Sequence, residues 1–203
     1  MPVKKAAASP ADATIVIPAI DLRTIEIKLI GDSPLIVHAW SEKAKAMIRD
    51  KQQKKARQAR EIRDPQKEFE DSLYPIPGKE DTYGFPTRGI KSAAVDACSH
   101  VADITKVTAR GAFHIDGELV TIIGEPHLRE DMVRVGMGTA DLRYRGEFSE
   151  WSMVFSVRYN ASVMSAEQIV NLFNLAGFAI GIGEWRPAKD GSNGMFHVAQ
   201  DRK

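Results

Sequence analysis

The sequence predicts an α+β fold, and three observations carry that prediction: a strand-like alternation near the N-terminus, a second one around residue 155, and two apolar helical segments. In RTIEIKLIG, starting at Arg23, the apolar residues Ile25, Ile27 and Leu29 alternate with Thr24, Glu26 and Lys28, the period of a half-buried strand. In EWSMVFSVRYN the residues Trp151, Met153, Phe155, Val157 and Tyr159 alternate with Ser152, Ser156 and Arg158. TRGIKSAAVDACSHVADI, from Thr87, spaces Ile90, Ala94, Ala97, Cys98 and Val101 as one helix face. Ser165 and Gln168 form a capping-box pattern ahead of the apolar helix QIVNLFNLAGFAI.

The other elements follow in order. Residues 1–21, rich in Ala, Pro and Lys without periodicity, read as a flexible tail. GDSPLIVHAW is a turn and a short extended piece, because Gly31 and Pro34 interrupt regular structure. Ser41 offers an N-cap for a long helix, SEKAKAMIRDKQQKKARQAREIR, which has no Gly or Pro. Asp64 and Pro65 start a short helix to Leu73, and YPIPGKEDTYGFP is a loop. Asp116 and Gly117, between two β-prone runs in AFHIDGELVTIIG, predict a hairpin. LREDMVRVG reads as a strand, and a loop with Gly136, Gly138 and Gly146 follows, carrying Arg143, Tyr144 and Arg145. MFHVAQ closes the chain as a last strand.

The succession β-α-β-β-α-β is that of a ferredoxin-like (RRM-like, split βαβ) core, here with a long basic helical insertion. The expected organisation is the tail at 1–21 and a single RRM-like domain at 22–203, with 41–85 as a helical and loop insertion. Two helices would cover one sheet face, leaving the other open, the face on which RNA-recognition members of this architecture stack bases.

Composition narrows the partners. The chain of 203 residues has a net charge of +1, and one cysteine, Cys98, excludes a disulfide framework and a multi-cysteine zinc site. No apolar run spans a bilayer and no signal peptide is visible, so a bacterial or phage-infected cytoplasm and no membrane partner are expected. Charge is unevenly placed. Residues 41–63 hold nine basic side chains against three acidic ones, a net of +6, so the remaining 19 basic and 24 acidic residues leave −5. The segment reads either as a solvated helix or as an arm that meets nucleic acid through Lys43, Lys51, Lys54, Lys55, Arg57 and Arg60.

Two segments carry a resemblance. FNLAGFAIGIGEWRPAKDGSNGMFHV resembles the C-terminal signature of the RAMP superfamily, which includes the backbone subunits of CRISPR effector complexes. YPIPGKEDTYGFPTRGIKSAA looks like their proline-glycine loop leading into a helix with an early lysine, here Lys91, and IKLIGDSPLIV is similar more loosely; together the pieces touch about half the chain. The glycine loop departs from the family's tighter form by the insertion EWRPAKD. The resemblance implies sequence-independent binding of single-stranded RNA or DNA by self-associating protomers, and the modest length fits a stand-alone phage or mobile-element homologue.

On the loop itself, Gly181, Gly183, Gly191 and Gly194 permit positive φ and close approach to another chain or a phosphate. Arg186 and Lys189 add charge beside Trp185, which suits a sugar-phosphate strand with stacked bases; the alternative is a tight connection with Trp185 packed on its own sheet. Arg88 and Lys91, near a helix N-terminus, are further phosphate candidates, as are Arg143 and Arg145 around Tyr144.

No enzyme signature stands out. The five histidines show no metal-ligand spacing, there is no phosphate-binding loop or nucleophile elbow, and no cofactor or metal is expected. One catalytic alternative comes from the resemblance: some RAMP backbone subunits cleave bound RNA with a loop aspartate, and Asp32 lies in a comparable place. Asp32 also reads as a turn former before Ser33 and Pro34. The expected function is thus non-catalytic binding of single-stranded nucleic acid, the alternatives being a structural subunit of a phage or CRISPR-like assembly and RNA cleavage.

Overall fold

Strand β1 (Leu22–Gly31) forms where β-branched residues alternate with charged ones, so that Ile27 and Leu29 are buried while Glu26 and Lys28 face solvent. The computed structural model describes residues 18–40, 42–53, 63–136 and 138–199, and only the backbone of Glu42, Lys43, Ala44, Met47, Val135 and Thr139. After β1 come β2 (Leu35–Val37), α1 (Glu42–Gln52), α2 (Pro65–Ser72), β3 (Gly84–Pro86) and α3 (Thr87–Ala97). Then follow α4 (Lys106–Ala112), β4 (Phe113–Ile115), β5 (Leu119–Ile123), β6 (Pro126–Val135) and β7 (Thr139–Phe148). The chain ends on β8 (Ser152–Asn160), α5 (Ala166–Ala179) and β9 (Phe196–Val198).

The main sheet has the order β3-β5-β8-β1-β9, with β4 also on β8, and its neighbouring strands are antiparallel. One face packs against α3 and α5. Phe173 of α5 meets Phe113 and Phe155 of the sheet edge-on, at centroid distances of 5.9 and 5.8 Å, and Ile90, Ala94 and Ala97 of α3 complete the core. Helix α5 begins as its sequence says, with Ser165 and Gln168 in a reciprocal capping box. Helix α2 is capped by the Asp64 carboxylate, which accepts from the N–H groups of Gln66 and Lys67.

The opposite face of the sheet is open. Register places Thr24, Glu26, Lys28 and Ile30 of β1 beside Arg158, Ser156, Val154 and Ser152 of β8, with His114 and His197 flanking them. None of these side chains is a phenyl, phenol or indole ring, and the imidazoles of His114 and His197 are the only rings among them.

Two local readings of the sequence are corrected. Asp116 and Gly117 do not close a hairpin, because β4 and β5 run one after the other along the same edge of β8. Ile115 faces Val157 and Ile122 faces Met153, so seven steps on one strand match four on the other, and the extra residues bulge out at Gly117, where φ is 81°. Thr87, at the start of α3, holds that bulge: its hydroxyl donates to Gly117 O at 2.8 Å and its N–H to Glu118 O at 3.0 Å. Second, the segment 139–148 is a strand, not a glycine-rich loop. It pairs with β6 over its full length and with β2, forming a separate sheet of order β2-β7-β6 against which α2 packs. Gly146 is required there by packing, since a Cβ would overlap the Leu73 side chain. Residues 126–148 thus supply two of the three strands of this separate sheet.

Edge strand β9 is closed off by α5. Asn174 Oδ1 accepts from Val198 N–H at 2.7 Å, and Gly177 lies so close that a Cβ would overlap the Phe196 carbonyl oxygen. Gly177→Ala is expected to push α5 off β9 and to destabilise the fold by about 1–3 kcal/mol. The urea midpoint reads this out, with the m-value unchanged.

Candidate nucleic-acid interface

The turn after β1 and strand β2 are sewn to the C-terminal glycine loop. Asp32 N–H donates to Met195 O (2.8 Å), Met195 N–H to Ser33 Oγ (2.9 Å), Gly194 N–H to Pro34 O (2.8 Å) and Glu184 N–H to Ile36 O (3.0 Å). At the two ends of this seam, His197 Nδ1 lies 2.7 Å from Asp32 Oδ1 and His38 Nδ1 lies 3.3 Å from Glu184 Oε1. Trp151 fixes the turn from below, its indole N–H donating to Ser33 O at 2.8 Å.

The seam explains the glycines. Gly181, Gly183 and Gly194 have φ of 68°, 78° and 65°, which favour glycine. A Cβ at Gly183 would overlap Ile36 O, one at Gly191 would overlap Trp185 O, and one at Gly194 would overlap Ile182 O. The close approach read from the sequence is met by the protein's own backbone.

Around the His38 end lies a cleft of about 250 Å³, lined by His38, Tyr74, Phe85, Asp96, Glu184 and Arg186 among others. Arg186 Nη1 donates to Gly183 O at 3.0 Å, and the Tyr74 hydroxyl donates to His38 O at 3.1 Å. Burial, with Glu184 nearby, pushes the Tyr74 phenol above its usual range. Trp185 is 43% exposed with φ of 52°, and Lys189 is exposed beyond it. Trp40, which the sequence analysis did not single out, is 62% exposed, two residues from His38 and just before α1. The pattern that finds it is an indole between a short strand and a basic helix, with no core periodicity to bury it.

The remaining candidates fall elsewhere. Lys51 is exposed on α1, while Lys54, Lys55, Arg57 and Arg60 and the side chain of Lys43 lie outside the described residues. Arg88 is exposed on α3. Lys91 is engaged internally, donating to Arg110 O at 2.9 Å, lying 3.2 Å from His114 Nδ1 and 5.6 Å from the Phe113 ring centroid; burial lowers its pKa. Because β7 is a strand, Arg143 and Arg145 point to one face and Tyr144 to the other, so the triplet is not one basic-aromatic unit. Arg143 pairs with Asp141 at 3.1 Å. Arg145 is only 8% exposed, its Nε and Nη1 make no hydrogen bond, and Glu184 Oε2 lies 3.7 Å from Nη1. Asp32, paired with His197, borders a shallow concavity of about 620 Å³ that also includes Asn174 and Phe178. Among the described residues no group of three His, Cys, Asp or Glu side chains is placed to hold a metal ion, and no helix is long and apolar enough to cross a membrane.

No family model matches the chain, and no curated protein does. Among solved structures, the crystal structure of Cmr6 from Pyrococcus furiosus is similar at 12% identity and a TM-score of 0.46, over 89% of this chain and 100% of that one. The Type III-B Cmr-beta complex bound to cognate target RNA gives 9% and 0.49, over 88% of this chain and 59% of that one. A CRISPR RNA-guided surveillance complex gives 10% and 0.37, over 86% and 66%. At such scores the overlap is loose, and it is the residues above that bear on function.

Glu184 links the seam to the buried Arg145. The hydrogen bond with His38 holds its carboxyl below the ordinary value of 4.5 against the opposing effect of burial, with Arg145 and Arg186 adding attraction. A depressed carboxylate contributes stability above its unfolded value and loses it as pH falls through the folded one. Glu184→Gln is therefore expected to lower the urea midpoint at pH 7, the gap from wild type closing below about pH 4.

Proposed function

We propose that the chain binds single-stranded nucleic acid, without catalysis and largely without sequence preference, on the surface where the basic arm meets the glycine loop. One observation carries this reading. The His38–Glu184 and Ile36–Glu184 bonds bring the root of α1 to the loop that bears Trp185 and Arg186, and an exposed indole stands on each side, Trp40 and Trp185. Bases stack on indoles regardless of sequence, and the lysine-rich arm with Arg186 and Lys189 supplies the charge that a phosphate backbone needs. Backbone hydrogen bonds hold the glycine loop, so Trp185 and Arg186 are positioned before a strand arrives, which reduces the entropy lost on binding.

The sheet order β9-β1-β8-β4/β5, with α3 and α5 on one face, supports a ferredoxin-like core as the scaffold. Its open face, which carries no phenyl, phenol or indole ring among the strand residues named above, argues for binding at the seam instead of on the sheet. Self-association along a bound strand in a prokaryotic cytoplasm completes the reading.

Anisotropy titrations of labelled oligo-uridine and oligo-thymidine test it. Affinity is expected to fall linearly on a logarithmic salt axis. Trp40→Ala and Trp185→Ala are each expected to weaken binding by about 1–3 kcal/mol, and charge reversal at Lys51, Lys54, Lys55 and Arg57 to flatten the salt slope. Affinity indifferent to salt and to both tryptophans overturns the proposal.

Cleavage of bound RNA is a second reading, favoured by the 2.7 Å contact between Asp32 and His197, in which a carboxylate orients an imidazole as a general base would require. It predicts product from labelled RNA that disappears in both Asp32→Asn and His197→Ala. Intact RNA after incubation with the wild-type protein, with and without divalent cations, retires it.

A further inference from the structure

Strand β6 lies at the end of the smaller sheet, paired with β7 on one side only among the described residues. Ten residues long, it carries its one proline at the first position, so every later residue brings a backbone N–H. Proteins blunt such edges by shortness, charged side chains, interior proline, bulges or a covering element, and β6 carries charges of both signs at Arg129, Glu130, Asp131 and Arg134. Strand β9 shows the contrast: it has three residues, and Asn174 and Gly177 of α5 close its outer side.

The side chains of β6 match their own reversed copy. A two-fold axis perpendicular to a sheet sets each residue beside its mirror position on the partner strand. With the axis on Met132, Glu130 of one copy faces Arg134 of the other, twice, and Met132 faces itself. An axis on Arg129, Glu130, Asp131 or Arg134 sets like charges against each other. An axis on Val133 sets Met132 against Arg134 and moves Glu130 past the strand end. Met132 is 74% exposed, its cross-strand neighbour Leu142 is 41% exposed, and Glu130 and Arg134 are both exposed. Glu130 also sits directly across the strand pair from Tyr144.

We propose that two copies of this chain join edge to edge through β6, antiparallel about an axis on Met132, making one continuous six-stranded sheet. The contact needs no nucleic acid and stands apart from the binding surface proposed above. Opposite charges directly across a strand pair are attractive and like charges repulsive, so the register is set by Glu130 and Arg134, while Met132 and Leu142 supply the apolar cover.

Sedimentation equilibrium of the nuclease-treated full chain tests this. A dimer is expected, whose dissociation constant rises by about tenfold or more in Glu130→Arg and in Arg134→Glu, and returns to near the wild-type value when both changes are combined. Met132→Cys is expected to form a disulfide-linked dimer on oxidation, while the buried Cys98 does not. A monomer at all concentrations overturns the proposal. So does a dimer indifferent to both single charge changes, or one that the double change fails to restore.

Discussion

The seam between residues 32–38 and 182–197 is the constraint on which the rest depends. It joins the two ends of the folded chain by backbone hydrogen bonds, fixes the loop glycines in conformations that other residues reach only with strain, and sets where the basic helix leaves the body. Trp151 supports it from the core side, and Arg145 anchors its outer end through Glu184. A side chain added at Gly183 or Gly194 would part these strands and move Trp185 and Arg186 with them.

Charge and aromatic surface follow from that geometry. The main sheet gives its apolar side to α3 and α5 and shows solvent a mixture of Glu26, Lys28, Ser156 and Arg158, which favours neither a polyanion nor a base. The smaller sheet neutralises much of its own charge: Arg129 binds Asp131 and Glu147, and Asp141 takes both Arg63 and Arg143. Lys51 on α1 and Lys189 on the glycine loop are exposed, as are the indoles of Trp40 and Trp185.

Much of this was legible in the sequence, and the failures share a cause. Alternation at Ile25, Ile27 and Leu29 and the capping box at Ser165 are local signals, and the structure keeps them. Glycine is ambiguous. Gly117 does adopt positive φ, yet the chain continues along β8 because that strand is long enough to hold β4 and β5 in line. Gly146 looked like a turn residue but is small because Leu73 lies over it, and Gly191 and Gly194 serve backbone contacts with their own loop. Whether a missing side chain means a bend or a near neighbour is decided by tertiary contacts that a linear pattern does not contain. The same holds for Arg143, Tyr144 and Arg145, whose meaning changed once β7 sent them to alternate faces, and for Trp40, whose exposure no periodicity announced.

The seam also has a consequence for how the molecule is made. Asp32 and His197 are 165 positions apart and His38 and Glu184 are 146 apart, so its contacts rank among the most non-local that a chain of 203 residues can form. Loop-closure entropy delays such contacts until the intervening segments have collapsed, and during synthesis they wait for residues 182–197 to emerge from the ribosome. A translation product interrupted before residue 182 can therefore hold α3 and β8 yet lack the seam. Synthesis through residue 197 thus becomes a condition for closing the seam.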